Sequence, residues 1–111
     1  MNIINQQLKK GALEIIVLKI ISEEDVYGYE LIKKLELYSE QYFSLKEGSL
    51  YPILYRLEDK KMLESYQKSF DGERRVPRKY YRITRVGLEW LEKTMDEWYF
   101  FQSKIEAILK R

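Results

Sequence analysis

Apolar positions recur at helical spacing through most of this chain and at strand spacing in one stretch. Over residues 6–21, Leu13, Ile16, Val17, Ile20 and Ile21 form one helical stripe, and Leu8, Ala12 and Ile15 form a second. A helix that is apolar on two faces needs two partners; its own domain supplies one and a second chain is the candidate for the other. Ser22-Glu23-Glu24-Asp25 ends the pattern. A second helix follows over residues 28–38, with Tyr29, Leu31, Ile32 and Leu35 inward, and then a short mixed stretch at 41–45 that reads as a loop or a one-rung strand. Leu50, Ile53, Leu54 and Leu57 fall at i, i+3, i+4 and i+7 and predict a third helix over 47–60. If Ser49 is its N-cap, Pro52 lies in the first turn and costs little; if the helix begins earlier, Pro52 should bend it.

Residues 63–70 and 78–84 are strand-like, with Tyr80, Tyr81 and Ile83 favouring extended backbone. Asp71-Gly72 supplies a turn between them, and Pro77 bars a long unbroken second strand. Thr84 then fits as the N-cap of a last helix running to about residue 109. Its stripe is Leu88, Leu91, Met95, Trp98, Ile105 and Leu109, widened by Trp90, Phe101 and Ile108, with Gln102 as the polar interruption. The predicted fold is mainly α: a winged helix-turn-helix of three helices and a two-stranded β-wing (residues 1–84), extended by a long C-terminal helix (residues 85–111). A helix of that length wants an apolar partner surface. Homodimerisation through it, against the partner's first helix, is the expected burial; folding back on its own body is the alternative.

Composition narrows the chemistry. The chain has 111 residues and neither cysteine nor histidine. That removes thiol and imidazole nucleophiles, the serine–histidine triad, the usual zinc sites and any disulfide scaffold. No polar set converges on an enzyme centre, so the expectation is a non-enzyme with no cofactor and no metal. No apolar run approaches the roughly 20 residues of a membrane span, and MNIINQQLKKG has no signal-peptide layout, which predicts a soluble, cytoplasmic protein.

The net charge of +2 says little until it is placed. Between Lys60 and Arg85 lie nine basic and three acidic residues, a local +6 in a chain otherwise at −4. Such a block marks an anion-binding surface or a solvated hairpin, and its position on a wing beside a recognition helix favours double-stranded DNA. On a helical wheel, Tyr51, Tyr55 and Arg56 lie opposite the apolar stripe of the third helix, the face that enters a major groove. Arg56 suits phosphate or a guanine edge, and Ser49 with the free N–H groups at the helix start suits phosphate. Tyr51 has a second reading, as a ring capping the core edge. Lys68, Arg74, Arg75, Arg78 and Lys79 are the wing candidates for the backbone or minor groove. Lys10, with Gln6 and Lys9, adds flanking contacts.

Tyr27-Gly28-Tyr29-Glu30-Leu31, the run from Glu47-Gly48-Ser49-Leu50-Tyr51-Pro52 to Glu58, and Arg78-Lys79-Tyr80-Tyr81-Arg82-Ile83-Thr84 with Gly87 resemble the signature blocks of PadR-type transcriptional regulators. Gly11, Ala12 and Leu13 fit the same pattern, so the resemblance covers nearly the whole chain. It implies a dimeric repressor with an inverted-repeat operator, released in some members by small aromatic compounds. The single C-terminal helix makes the chain similar to the compact, LmrR-like branch, where a tryptophan at the dimer centre stacks on planar ligands. Trp98 matches that position, with Ile15 and Phe101 as the further lining the resemblance implies. Trp90, Tyr99, Phe100 and Phe101 depart from the pattern and are bulky enough to fill such a pore. The other functional reading is a winged-helix protein-interaction module without DNA binding, for which a neutral wing would be the mark.

Overall fold

The computed structural model describes residues 3–69 and 77–111, with side chains of the first helix described from residue 12 onward. Among the described residues seven elements follow in order: α1 (Ile3–Glu23), β1 (Val26–Tyr27), α2 (Gly28–Tyr38), α3 (Glu47–Asp59), β2 (Leu63–Lys68), β3 (Arg78–Ile83) and α4 (Arg85–Leu109). This is a mainly helical winged helix with a long C-terminal helix.

Most of the predicted stripe positions are buried, but Tyr29, expected on the inner face of α2, is 55% exposed, and Leu18, outside both predicted α1 stripes, is fully buried. Val17, Leu18 and Ile21 of α1, Leu31 and Leu35 of α2, and all four apolar residues of α3 close one core, with Tyr81 and Leu91 completing it. The sheet has one strand more than the hairpin pattern predicts. β1 pairs antiparallel with β3, Val26 opposite Tyr81 and Tyr27 opposite Tyr80, so the strand order is β1-β3-β2. Two residues carry no periodicity of their own; β1 exists because β3 offers a free edge and Val26 buries fully against the core. The 41–45 stretch is loop, entered through left-handed backbone at Glu40 and Gln41.

α3 begins at Glu47, with Lys46 in extended conformation as its N-cap, so the Ser49 N-cap alternative does not hold. The Ser49 and Leu50 amides already donate to the Lys46 carbonyl, both at 3.0 Å. Pro52 is therefore the sixth helical residue. The bond it cannot give to the Gly48 carbonyl lies on an exposed face, where water replaces it at little cost.

Two glycines set the close approaches. A Cβ on Gly28 would collide with the Tyr51 hydroxyl, so glycine lets α2 start against α3. A Cβ on Gly87 would strike the Met62 carbonyl, where α4 leaves the sheet. Thr84 is the N-cap, as predicted: its hydroxyl accepts from the Gly87 amide at 3.0 Å and donates to the Lys61 carbonyl at 2.6 Å. From this anchor α4 runs 25 residues, roughly 37 Å. Leu91 is buried and Met95 packs on the core, whereas from Trp98 onward every side chain of the helix is exposed.

Candidate nucleic-acid interface

With Leu50, Ile53, Leu54 and Leu57 turned inward, helical geometry leaves Ser49, Pro52, Tyr55 and Arg56 exposed on the outside of α3. Tyr51 is held differently. It is half-buried, its hydroxyl lies over Gly28, and its ring sits 6.0 Å from that of Tyr55. Burial raises its pKa, Glu47 and Tyr55 add to the rise, and Lys79 works against it. Tyr51 thus occupies the crease between α2 and α3, next to the exposed face rather than on it.

The pleat of the sheet divides the wing cations. Alternate side chains of a strand point to opposite faces, so Lys79, Tyr81 and Ile83 share one face and Arg78, Tyr80 and Arg82 the other. Lys79 faces α3. Its Nζ lies 3.8 Å from the Glu58 carboxylate, 5.6 Å from the Tyr55 ring centroid and 5.3 Å from that of Tyr81. Glu58 also accepts from the Ser65 hydroxyl at 2.9 Å. These contacts tie β2, β3 and α3 together.

The reverse face carries a second aromatic cluster. Tyr66 stacks on Tyr80 at 5.8 Å, and Tyr27 meets Tyr80 edge-on at 5.4 Å. The Arg78 guanidinium lies 4.7 Å over Tyr27, Lys68 5.4 Å over Tyr80 and Arg82 5.1 Å over Tyr66. Cations seated over ring faces gain from the ring quadrupole, which holds their orientation. Tyr66 donates to Asp25 at 2.6 Å; that bond, followed by burial, pushes the phenol pKa up. Lys68 and Arg78 therefore sit on the side away from the recognition helix, and Lys79 beside it.

Arg56 is engaged within the chain: its Nε donates to Glu14 of α1 at 3.3 Å, and Lys60 shares that carboxylate at 3.5 Å. Glu14 lies 42 positions from Arg56 and has no sequence signal pointing to it. The Tyr66–Tyr80 pair, by contrast, follows from the hairpin register. Lys10, Arg74 and Arg75 fall outside the described side chains, as do Gln6, Lys9 and the Asp71-Gly72 turn.

Ile15, Trp98 and Phe101 do come together. With Thr94 and Glu97 they line an open groove of about 380 Å³ between α1 and α4, where Trp98 and Phe101 are 6.5 Å apart. Among the described residues no group of His, Cys, Asp or Glu is arranged to hold a metal, and no helix is long and apolar enough to cross a membrane.

A short helix pair, an exposed polar helix face and a cation-bearing wing define a winged-helix DNA-binding protein. Residues 17–93 match the model of the transcriptional regulator PadR-like family, and the chain belongs to that family. It is similar to the PadR-like transcriptional regulator of Bacillus cereus, 39% identical with a TM-score of 0.82 over 95% of this chain and 98% of that one. A transcriptional regulator from Clostridium thermocellum is 31% identical, TM-score 0.81, over 91% of this chain and 96% of that one. The transcriptional regulator YqjI of Escherichia coli is 27% identical over 87% of this chain, which spans 44% of that longer protein. The chain is a DNA-binding transcriptional regulator, and its family is one of regulators rather than enzymes.

Proposed function

We propose that the chain acts in the cytoplasm as a homodimeric repressor that binds an inverted-repeat operator. The observation that carries this reading is the division of α3: four apolar side chains in the core, and Ser49, Tyr55 and Arg56 exposed beside the cationic strand β3. Residues 1–84 contact the duplex, and residues 85–111 join two copies through the unpartnered stripe of α4 and the partner's α1. Two recognition helices then meet successive major-groove faces about 34–36 Å apart. Tyr55 and Arg56 read bases, with Tyr51 behind them and Ser49 on phosphate. Lys68, Arg78 and Lys79, with Arg74 and Arg75 at the wing tip and Lys10 at the flank, supply backbone affinity.

Selecting duplexes from a random pool with the full chain should enrich an inverted repeat. Tyr55→Ala and Arg56→Ala should each lower operator affinity by about 5- to 100-fold, the range of one good base contact, with the fold retained. Failure to enrich any duplex refutes the reading and favours a protein-interaction role.

The α1–α4 groove is the proposed effector site, with Trp98, Ile15 and Phe101 stacking on a small planar aromatic compound. A planar cationic dye should quench tryptophan emission, and Trp98→Phe should remove most of that response while Trp90 still emits. Quenching that survives the substitution places the dye elsewhere.

A further inference from the structure

We propose that Glu14 is a specificity-determining positioning residue, which restrains Arg56 of the recognition helix and Lys60 at its C-cap so that a matched duplex is favoured over an arbitrary one. The inference rests on the DNA-binding reading of α3 and goes beyond it. Glu14 belongs to α1, outside the α2–α3 pair and the wing. One carboxylate oxygen takes Arg56 Nε at 3.3 Å and the other takes Lys60 Nζ at 3.5 Å. Arg56 lies in the last turn of α3 and Lys60, four residues on, is its C-cap, so a single carboxylate spans both. The Glu14 side chain is 22% exposed, against 55% for Arg56 and 50% for Lys60. The anion is the more buried partner, and the two cations it holds are about half exposed.

As stabilising contacts such half-exposed pairs contribute little. Their consequence lies in charge and orientation. Any duplex, whatever its sequence, attracts free cations through its phosphates, and each cation that meets a phosphate releases a counterion. A carboxylate shared by Arg56 and Lys60 cuts their combined charge from +2 to +1 and opposes any phosphate that approaches them. Arbitrary duplexes, which offer only backbone, lose most. A matched operator also gains from base contacts, and there the bond to Nε fixes the plane of the Arg56 guanidinium, whose fork must meet a base edge in one orientation. A repulsive element against the wrong partner, joined to an orienting one for the right partner, widens the affinity ratio from both sides.

The test uses the full chain, the duplex enriched by selection, and a scrambled duplex of the same composition, with binding followed by fluorescence anisotropy across salt concentrations. Glu14→Gln keeps the shape and removes the charge. It should raise affinity for the scrambled duplex about three- to tenfold at 0.1 M salt and steepen the plot of log affinity against log salt by about one to two units. The operator-to-scrambled ratio should fall accordingly. Adding Lys60→Gln to Glu14→Gln should take back about one unit of slope. A folded Glu14→Gln protein with the parent's slope and ratio overturns the inference, even if its melting temperature falls, because Glu14 would then be only a structural contact. If Glu14→Gln fails to fold, Lys60→Gln alone decides. A slope loss under about half a unit supports a restrained Lys60, and loss of a full unit means that Lys60 already meets phosphate and the inference fails. A parent chain that enriches no duplex removes the DNA reading itself, and this inference with it.

Discussion

Two tyrosine hydroxyls on opposite faces of the sheet have opposite consequences for stability. Tyr81 is 1% exposed, and its hydroxyl has no hydrogen-bond partner among the described residues. Burial, with Glu58, Tyr55 and Tyr51 nearby, pushes its pKa well above the usual phenol value of 10.0. A group whose folded pKa is raised holds its proton more tightly in the folded state. The stability linked to it is complete below pH 10 and is lost as pH rises toward the folded value. Tyr81→Phe removes a buried group that forms no bond, so it should stabilise the protein by about 1 kcal/mol at pH 7. It should also flatten the loss of stability between pH 9 and 11. Tyr66→Phe should do the reverse at neutral pH, since the Tyr66 hydroxyl is bonded to Asp25 at 2.6 Å. Urea denaturation of both variants checks the pair, and a destabilised Tyr81→Phe would mean that the hydroxyl has a partner after all.

At the scale of elements, the junction of β3 and α4 turns on one side chain. Thr84 caps α4 through the Gly87 amide and also ties the helix start to the Lys61 carbonyl after α3. Thr84→Ala should cost about 1–2 kcal/mol, the upper part of the range for a lost N-cap, and Thr84→Ser should recover most of it. Thermal melts of the two variants measure this. The cap was readable because threonine before an apolar-periodic run is a local signal, and most of the four stripes were readable for the same reason; Tyr29, exposed on α2, and Leu18, buried on α1, follow from tertiary packing that periodicity does not encode. The N-cap of α3 was not, because Lys46 caps through its carbonyl alone and such a cap leaves no residue-type signature. β1 was not readable either, since its two residues become a strand only when β3 is beside them. At the interface, periodicity placed Tyr55 and Arg56 on the exposed face of α3 but could not say that Glu14 holds Arg56, a contact made by the tertiary fold. Register was needed to see that Lys79 faces α3 while Lys68 and Arg78 lie on the reverse face.

The whole molecule measures 61 × 32 × 21 Å, a shape set by an α4 that runs past the body it starts from. Trp98, Phe101, Ile105 and Leu109 follow one another at three- and four-residue steps on its free half, between 38% and 77% exposed. A row of this kind is costly to leave in water, and in the proposed homodimer the partner's α1 covers it. If two copies join in this way, the same packing sets the distance between their recognition helices, so dimerisation and operator affinity should fail together. Joining two half-site contacts makes the second one intramolecular, which strengthens binding by about 10²- to 10⁴-fold without any new contact to DNA. Phe101→Lys combined with Ile105→Lys charges the stripe while leaving α3 and the wing untouched. Sedimentation should then report a single subunit at micromolar concentration, with affinity for the full inverted repeat reduced at least about 100-fold. Affinity for an isolated half-site should stay near the parent's value, because each subunit still presents Tyr55, Arg56 and Lys79 in the same relation. A dimer that survives the double substitution would place the interface elsewhere. A monomer that still binds the full repeat as tightly as the parent would show that a single wing and recognition helix suffice.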